Sequence, residues 1–171
     1  MKKIFFSLLL IPTIAFSQKD SSEFKFTLID SIKETKNELF IKAKVWLANT
    51  FVSSKAVIEM EDKEAGKIIG KGVMVYDKKD TYYTTHMSVR YTLTVTVKDN
   101  KYRLVLSDFI NDGYLDNPSE RINGSGLKLD DVNFLALGYS KDVIPEVTRR
   151  ANDIVETFRI AMKKETKKDD F

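Results

Sequence analysis

The only histidine in the 171-residue chain is His86. Ser88 and Arg90 follow it at steps of two, with Thr84 before them and Thr92 and Thr94 after. In an extended strand that spacing puts all six side chains on one face. A serine beside a histidine can be a nucleophile with its base, provided the two come within hydrogen-bond reach. Two residues along a strand they stand roughly 6.6 Å apart, which is too far. The sequence supplies no third group that would orient the imidazole. The row therefore reads as a polar binding surface, and its candidate residues are Lys71, Thr84, His86, Ser88, Arg90 and Thr92. Ile69, Val73 and Val75 would join them from a neighbouring strand, and apolar residues beside a polar ladder can mark a binding face.

A second group of reactive side chains lies between Asp108 and Asp131. With Gly113 as the turning glycine, Asp108 and Asp112 take the first and fifth positions of a calcium loop. Ile110 then stands at the third position and Ser119 at the twelfth, so two expected ligands are missing. Asp112, Asp116, Glu120, Asp130 and Asp131 could still form a looser oxygen site. The run Gly66-Lys67-Ile68-Ile69-Gly70-Lys71-Gly72 has glycines and lysines like a phosphate loop. Three residues separate its first two glycines, no hydroxyl follows Lys71, and a strand rather than a helix comes next. It reads as a turn and a strand. Asn123-Gly124-Ser125 matches a glycosylation acceptor. Nothing in these patterns requires a cofactor.

These side chains need a frame, and periodicity supplies one. Phe24, Phe26 and Leu28 alternate with Lys25 and Thr27 as a strand does. Thr35-Lys36-Asn37-Glu38 forms a capping box. The helix after it runs to about Val52 and buries Leu39, Phe40, Ala43, Trp46, Leu47 and Phe51. Strands follow at Val57 to Asp62, Lys67 to Tyr76, Tyr82 to Lys98 and Tyr102 to Phe109. The third of these alternates Met87, Val89, Tyr91, Leu93, Val95 and Val97 with polar residues, and Asp99-Asn100-Lys101 turns it into the fourth. Gly70 and Gly72 share a face with Ile68 and Met74, which suggests close approach of the first helix, at Trp46. Ile110 to Tyr139 reads as a long irregular connection with a short helical turn between Asp130 and Leu137. Connections of that length are often functional or mobile. Ser140 or Asp142 would cap a last helix, with Pro145 in its first turn. Its buried stripe would be Ile144, Val147, Ala151, Ile154, Val155, Phe158 and Met162. The order strand, helix, four strands, helix gives an α+β fold. An antiparallel sheet would carry both helices on its apolar face and leave the threonine-rich face open.

The ends of the chain read differently. Met1-Lys2-Lys3, the apolar run Ile4 to Phe16, and the small residues Ala15 and Ser17 form a secretory signal peptide, cut before Gln18. Residues 18–23 would be a flexible leader, 24–164 a single domain and 165–171 a charged tail. The expected location is the periplasm or the medium. The chain has no cysteine, so a lipoprotein anchor and disulfides are ruled out. The formal charge of +3 includes Lys2 and Lys3 and is +1 without them, which is no footprint for nucleic acid. No second long apolar run offers a membrane span.

Two stretches together resemble a known bacterial family. They are Asp62-Lys63-Glu64-Ala65-Gly66-Lys67-Ile68-Ile69-Gly70-Lys71-Gly72 and the helix with Lys44-Val45-Trp46-Leu47-Ala48, then Thr50-Phe51-Val52-Ser53-Ser54. The family is the domain of unknown function 4468 with TBP-like fold, and the resemblance spans about Phe24 to Asn100. It implies a TBP-like β-α-β4-α arrangement and no particular activity. The eukaryotic TBP fold uses its open face on DNA, but export and near-neutral charge argue against that use here. The expected function is a non-catalytic envelope module binding a small ligand, a peptide or another envelope protein. The alternatives are a carboxylate or calcium-dependent enzyme using residues 108–131, and a homodimer formed through the open face or a sheet edge.

Overall fold

The capping box forms and fixes where the first helix begins. In the computed structural model, which describes residues 23–51, 57–79, 84–113 and 122–164, Glu38 N donates to Thr35 Oγ1 at 3.3 Å. Thr35 N donates back to Glu38 Oε2 at 2.8 Å. The signal segment, the leader up to Ser22 and the tail from Thr166 lie outside the described residues, as does Glu165.

The described residues form, in order, β1 (Phe26–Ser31), α1 (Lys36–Thr50), β2 (Val57–Asp62), β3 (Lys67–Lys79), β4 (Thr84–Lys98), β5 (Lys101–Asn111), α2 (Val132–Leu135) and α3 (Ser140–Lys163). The strands form one antiparallel sheet in the order β1-β5-β4-β3-β2. β1 and β2 are thus the two edges, and α1 carries the chain from one edge to the other. α1 packs on β4 and α3 on β1, and the two helices touch each other.

One face of the sheet is the core. Met87, Val89, Tyr91, Leu93, Val95 and Val97 of β4 are all buried, as are Leu39, Ala43 and Trp46 of α1 and Val147, Ala151 and Phe158 of α3. The Phe158 ring meets Trp46 at 4.8 Å and Tyr102 at 5.7 Å between centroids, locking both helices to β5. A buried side chain of this size contributes roughly 1.5–3 kcal/mol by burial alone.

Three local expectations change. α3 has no side-chain cap. Its N-cap is Tyr139, and the Ser140 hydroxyl donates backwards to the carbonyls of Leu135 and Leu137. The turn leaving α2 leads directly into α3 and takes up the first free N–H groups, so Pro145 falls in the second turn rather than the first. Val143 is buried in the stripe, while Ile144, Ile154 and Val155 are only partly so. Gly72 accommodates the Tyr91 ring of the adjacent strand rather than the Trp46 side chain, because a Cβ there would collide with that ring.

The long connection is also less irregular than its composition suggests. Asn111 N donates to Leu127 O at 2.9 Å, and Leu129 N donates to Phe109 O at 2.9 Å, so the segment returns along β5. Asn111 is fully buried, and its amide donates to Gly124 O and the Tyr139 hydroxyl, each at 3.2 Å. Leu129 and Phe134 plug into the core, and α2 is the short helical turn expected there. Residues 114–121 of this connection lie outside the described residues.

Candidate functional site

Among the described residues nothing covers the face opposite the helices. Its large apolar side chains Ile29, Met60 and Val75 are 57%, 40% and 59% exposed, set among threonines and charged residues. Strand register decides what each of these residues meets.

Towards the Thr84 end, each charge of the expected site has a partner. Lys71, Thr84, His86, Ser88, Arg90 and Thr92 lie on one face, as their spacing predicts. His86 faces Asp77 across β3 and β4, and its Nδ1 donates to Asp77 Oδ1 at 2.8 Å. Arg90 grips Asp112 with Nε and with Nη2, and the carboxylate raises the guanidinium pKa above its ordinary value. Lys71 lies 2.7 Å from Glu59. Lys128 donates to Asp108 at 2.9 Å, and this bond holds the Asp108 carboxyl below its usual range. Asp77 is the orienting acid that the sequence did not reveal, since it is nine residues from His86 and becomes a neighbour only through pairing. Ser88 faces Val75 instead, so no nucleophile is built at this dyad.

Towards the β4–β5 turn the same face changes character. Ile29, Arg103, Thr96, Lys67 and, on the β2 edge, Asp62 stand in one cross-strand row, and Lys98 pairs with Lys101 in the next. Adjacent strands lie about 4.8 Å apart, so four cations are crowded here. Among the described residues none of the four has an ion-pair partner. The nearby acids are engaged elsewhere. Asp62 accepts from Ala65 N, Asp99 from Lys36 N, and Asp30 faces the core side, where it meets Lys163 and Tyr102. A groove of about 220 Å³ runs between these side chains, lined by Ile29, Thr96, Lys98 and Arg103 among others. Thr96 Oγ1 is buried there with no hydrogen-bond partner. The alternation of Thr96 with Lys98, and of Lys101 with Arg103, was visible in the sequence. Only the register shows that Lys98 and Lys101 face each other and that Arg103 lies between Ile29 and Thr96, while Lys67 alone has an acid, Asp62, opposite it.

A third feature lies on the helix side. A cleft of about 220 Å³ opens between the end of α1 and the sheet, with Leu47, Ala48 and Phe51 above and Gly72, Tyr91 and Leu93 below. Lys44 at its rim donates to Glu61 at 2.9 Å. The acids of the 108–131 segment do not converge. Asp108 and Asp112 hold Lys128 and Arg90, Asp130 accepts from Phe24 N, and Asp131 caps α2. Asp116 and Glu120 lie outside the described residues. Among the described residues no group of three His, Asp or Glu side chains could hold a metal ion, and no helix is long and apolar enough to cross a membrane.

Residues 28–111 match the model of the family described as "Domain of unknown function (DUF4468) with TBP-like fold". A DUF4468 family protein from Bacteroides ovatus is 16% identical, with a TM-score of 0.59 over 87% of this chain and 91% of that one. A TBP-like protein from Parabacteroides distasonis is 18% identical, with a TM-score of 0.60 over 86% and 97%. At those identities the likeness is one of fold. No curated protein matches.

Proposed function

We propose that this chain, whose residues 28–111 belong to the DUF4468 family with TBP-like fold, is a non-catalytic binding module of the cell envelope that works through its open sheet face. The observation that carries this reading is the uncovered five-strand face, with exposed Ile29, Met60 and Val75 among hydroxyls and cations. An apolar patch inside a polar frame suits contact with a ligand. Ser88 faces Val75 rather than the imidazole of His86, so no nucleophile stands beside the histidine, which favours adhesion over chemistry.

Thermal melts of the full chain with a panel of anions, sugars and peptides test this. A ligand at a hundredfold excess over its Kd stabilises the fold by about 2.7 kcal/mol, a rise of several degrees. The shift should vanish in Val75→Asp with Thr94→Asp and persist in Ala48→Phe, which fills the cleft. Loss in Ala48→Phe alone would move the site to the helix side. That second reading has its own support in the mostly apolar lining of the cleft, which includes Leu47, Phe51 and Leu93. Calcium that raises the melting temperature, reversed by chelator, would favour the carboxylate enzyme instead. A dimer in light scattering that Val75→Asp dissociates would favour self-association.

The location in the envelope rests on residues 1–17. Mass spectrometry of the exported protein should find Gln18 at its start, and a protein retained in the cytoplasm with residues 1–17 intact would overturn it.

A further inference from the structure

We infer that the groove at the β4–β5 end of the open face is a site for a small, multiply charged oxyanion of the phosphate-ester or diphosphate class. The inference rests on the reading that the open face is the working surface, and it names the ligand chemistry of that face.

Four observations converge on it. Lys98, Lys101 and Arg103 come from two neighbouring strands and converge within two cross-strand rows, one of which ends in Lys67 opposite Asp62. Elsewhere on the same face the cations Lys71, Arg90 and Lys128 each have a carboxylate, whereas Lys98, Lys101 and Arg103 have none among the described residues. Lys98, Lys101 and Arg103, with no acid opposite them, repel one another at this spacing, and an anion with two or more charges removes that repulsion. Arg103 offers a planar fork that can bind two oxygens of one phosphate, and the lysines add compact charges.

Thr96 supplies the fourth observation. Its hydroxyl is buried beneath the groove without a partner. A buried polar group left so is destabilising, and an anionic oxygen accepting from it would recover that loss. The groove holds about 220 Å³, roughly seven waters' worth of liquid volume, which suits a phosphate or diphosphate rather than a long chain. Ile29 flanks the row at 57% exposure and offers contact to an apolar group attached to the anion.

The test is calorimetric titration of the full chain with inorganic pyrophosphate at about 50 mM salt, where screening is weak. Saturable binding is expected. Losing one charged hydrogen bond costs about 1.5–3 kcal/mol, so Lys98→Gln or Arg103→Gln should weaken binding roughly tenfold or more. Thr96→Val should weaken it by about threefold to tenfold. Arg90→Gln, at the paired end, should stay within about twofold, because its charge already belongs to Asp112. Vesicles rich in phosphatidic acid, run beside free pyrophosphate, identify the source. Tighter vesicle binding that Arg103→Gln abolishes makes the ligand a phosphorylated headgroup, and preference for pyrophosphate makes it a free ester, with either result supporting the chemistry.

Absence of heat with pyrophosphate would overturn the inference, as would equal loss in Arg90→Gln and Arg103→Gln. Duplex DNA binding far above pyrophosphate would also overturn it, since the ligand would then be a polymer. If pyrophosphate fails while another ligand's melting shift is still lost in Val75→Asp with Thr94→Asp, the open-face reading survives and only the oxyanion is wrong.

Discussion

The two ends of the open face are made of the same strands and carry similar residues, yet they differ in charge. At the Thr84 end Lys71, His86 and Arg90 each meet a carboxylate, from Glu59, Asp77 and Asp112. At the β4–β5 end Lys98, Lys101 and Arg103 meet a threonine, an isoleucine and one another, and only Lys67 faces an acid, Asp62. Residue type does not separate the two ends, since both alternate cations with threonine or serine. Cross-strand pairing separates them. It brings acids from β2, β3 and the start of the long connection to each cation of one end, and to the other only Asp62, opposite Lys67. An exposed pair contributes at most about 1 kcal/mol to stability, so the paired end gains little from its bonds. Their larger effect is to cancel charge that would otherwise attract a ligand.

The widest way to break this comparison is to remove the frame that both ends share. Phe158→Ala should cost about 3–5 kcal/mol, because it empties the contact between both helices and Tyr102. Chemical denaturation would measure this, and an unchanged midpoint would contradict the packing described. A narrower break reverses one end only. Lys98→Glu with Arg103→Glu should weaken pyrophosphate binding by about a hundredfold while changing stability by less than about 0.5 kcal/mol, as surface substitutions do.

Other changes sharpen the contrast. Asp112→Asn should turn the paired end into an unpaired one. It should cost about 1 kcal/mol and make a second, weaker anion site at Arg90 visible by calorimetry. Thr96→Val should leave the free protein as stable or stabler by up to about 1 kcal/mol, since it removes an unsatisfied buried hydroxyl. The same variant should bind pyrophosphate less well, and loss of both properties together would mark Thr96 as structural. The smallest effect concerns pH. Lys128 holds the folded Asp108 pKa below its ordinary value of 3.8. The stabilisation is therefore fully present above that value and lost as pH falls through the lower, folded one. Screening at this surface keeps it below about 1 kcal/mol. Lys128→Gln should flatten this part of the acid titration, whereas Arg103→Gln, with no acid partner, should leave it unchanged.

Much of the frame was legible in the chain. The capping box at Thr35 and Glu38 formed as written, because it involves groups three residues apart. The alternation from Met87 to Val97 buried one face of β4, because period two is a property of the strand itself. The start of α3 was misread, since the helical turn before it satisfies N–H groups that Ser140 or Asp142 would otherwise have capped. The candidate site was legible as a surface and not as a set of charges.

The sequence by itself determined the element order, the buried face and the presence of a polar row, since all three follow from spacing along the chain. The tertiary structure alone decided which cations are neutralised. It set Asp77 against His86 and Asp112 against Arg90, fitted Tyr91 against Gly72, and left Arg103 and Lys98 beside a groove without an acid. The physical reason is that charge interaction depends on separation in space. In an antiparallel sheet that separation is fixed by register, which joins residues far apart in the chain.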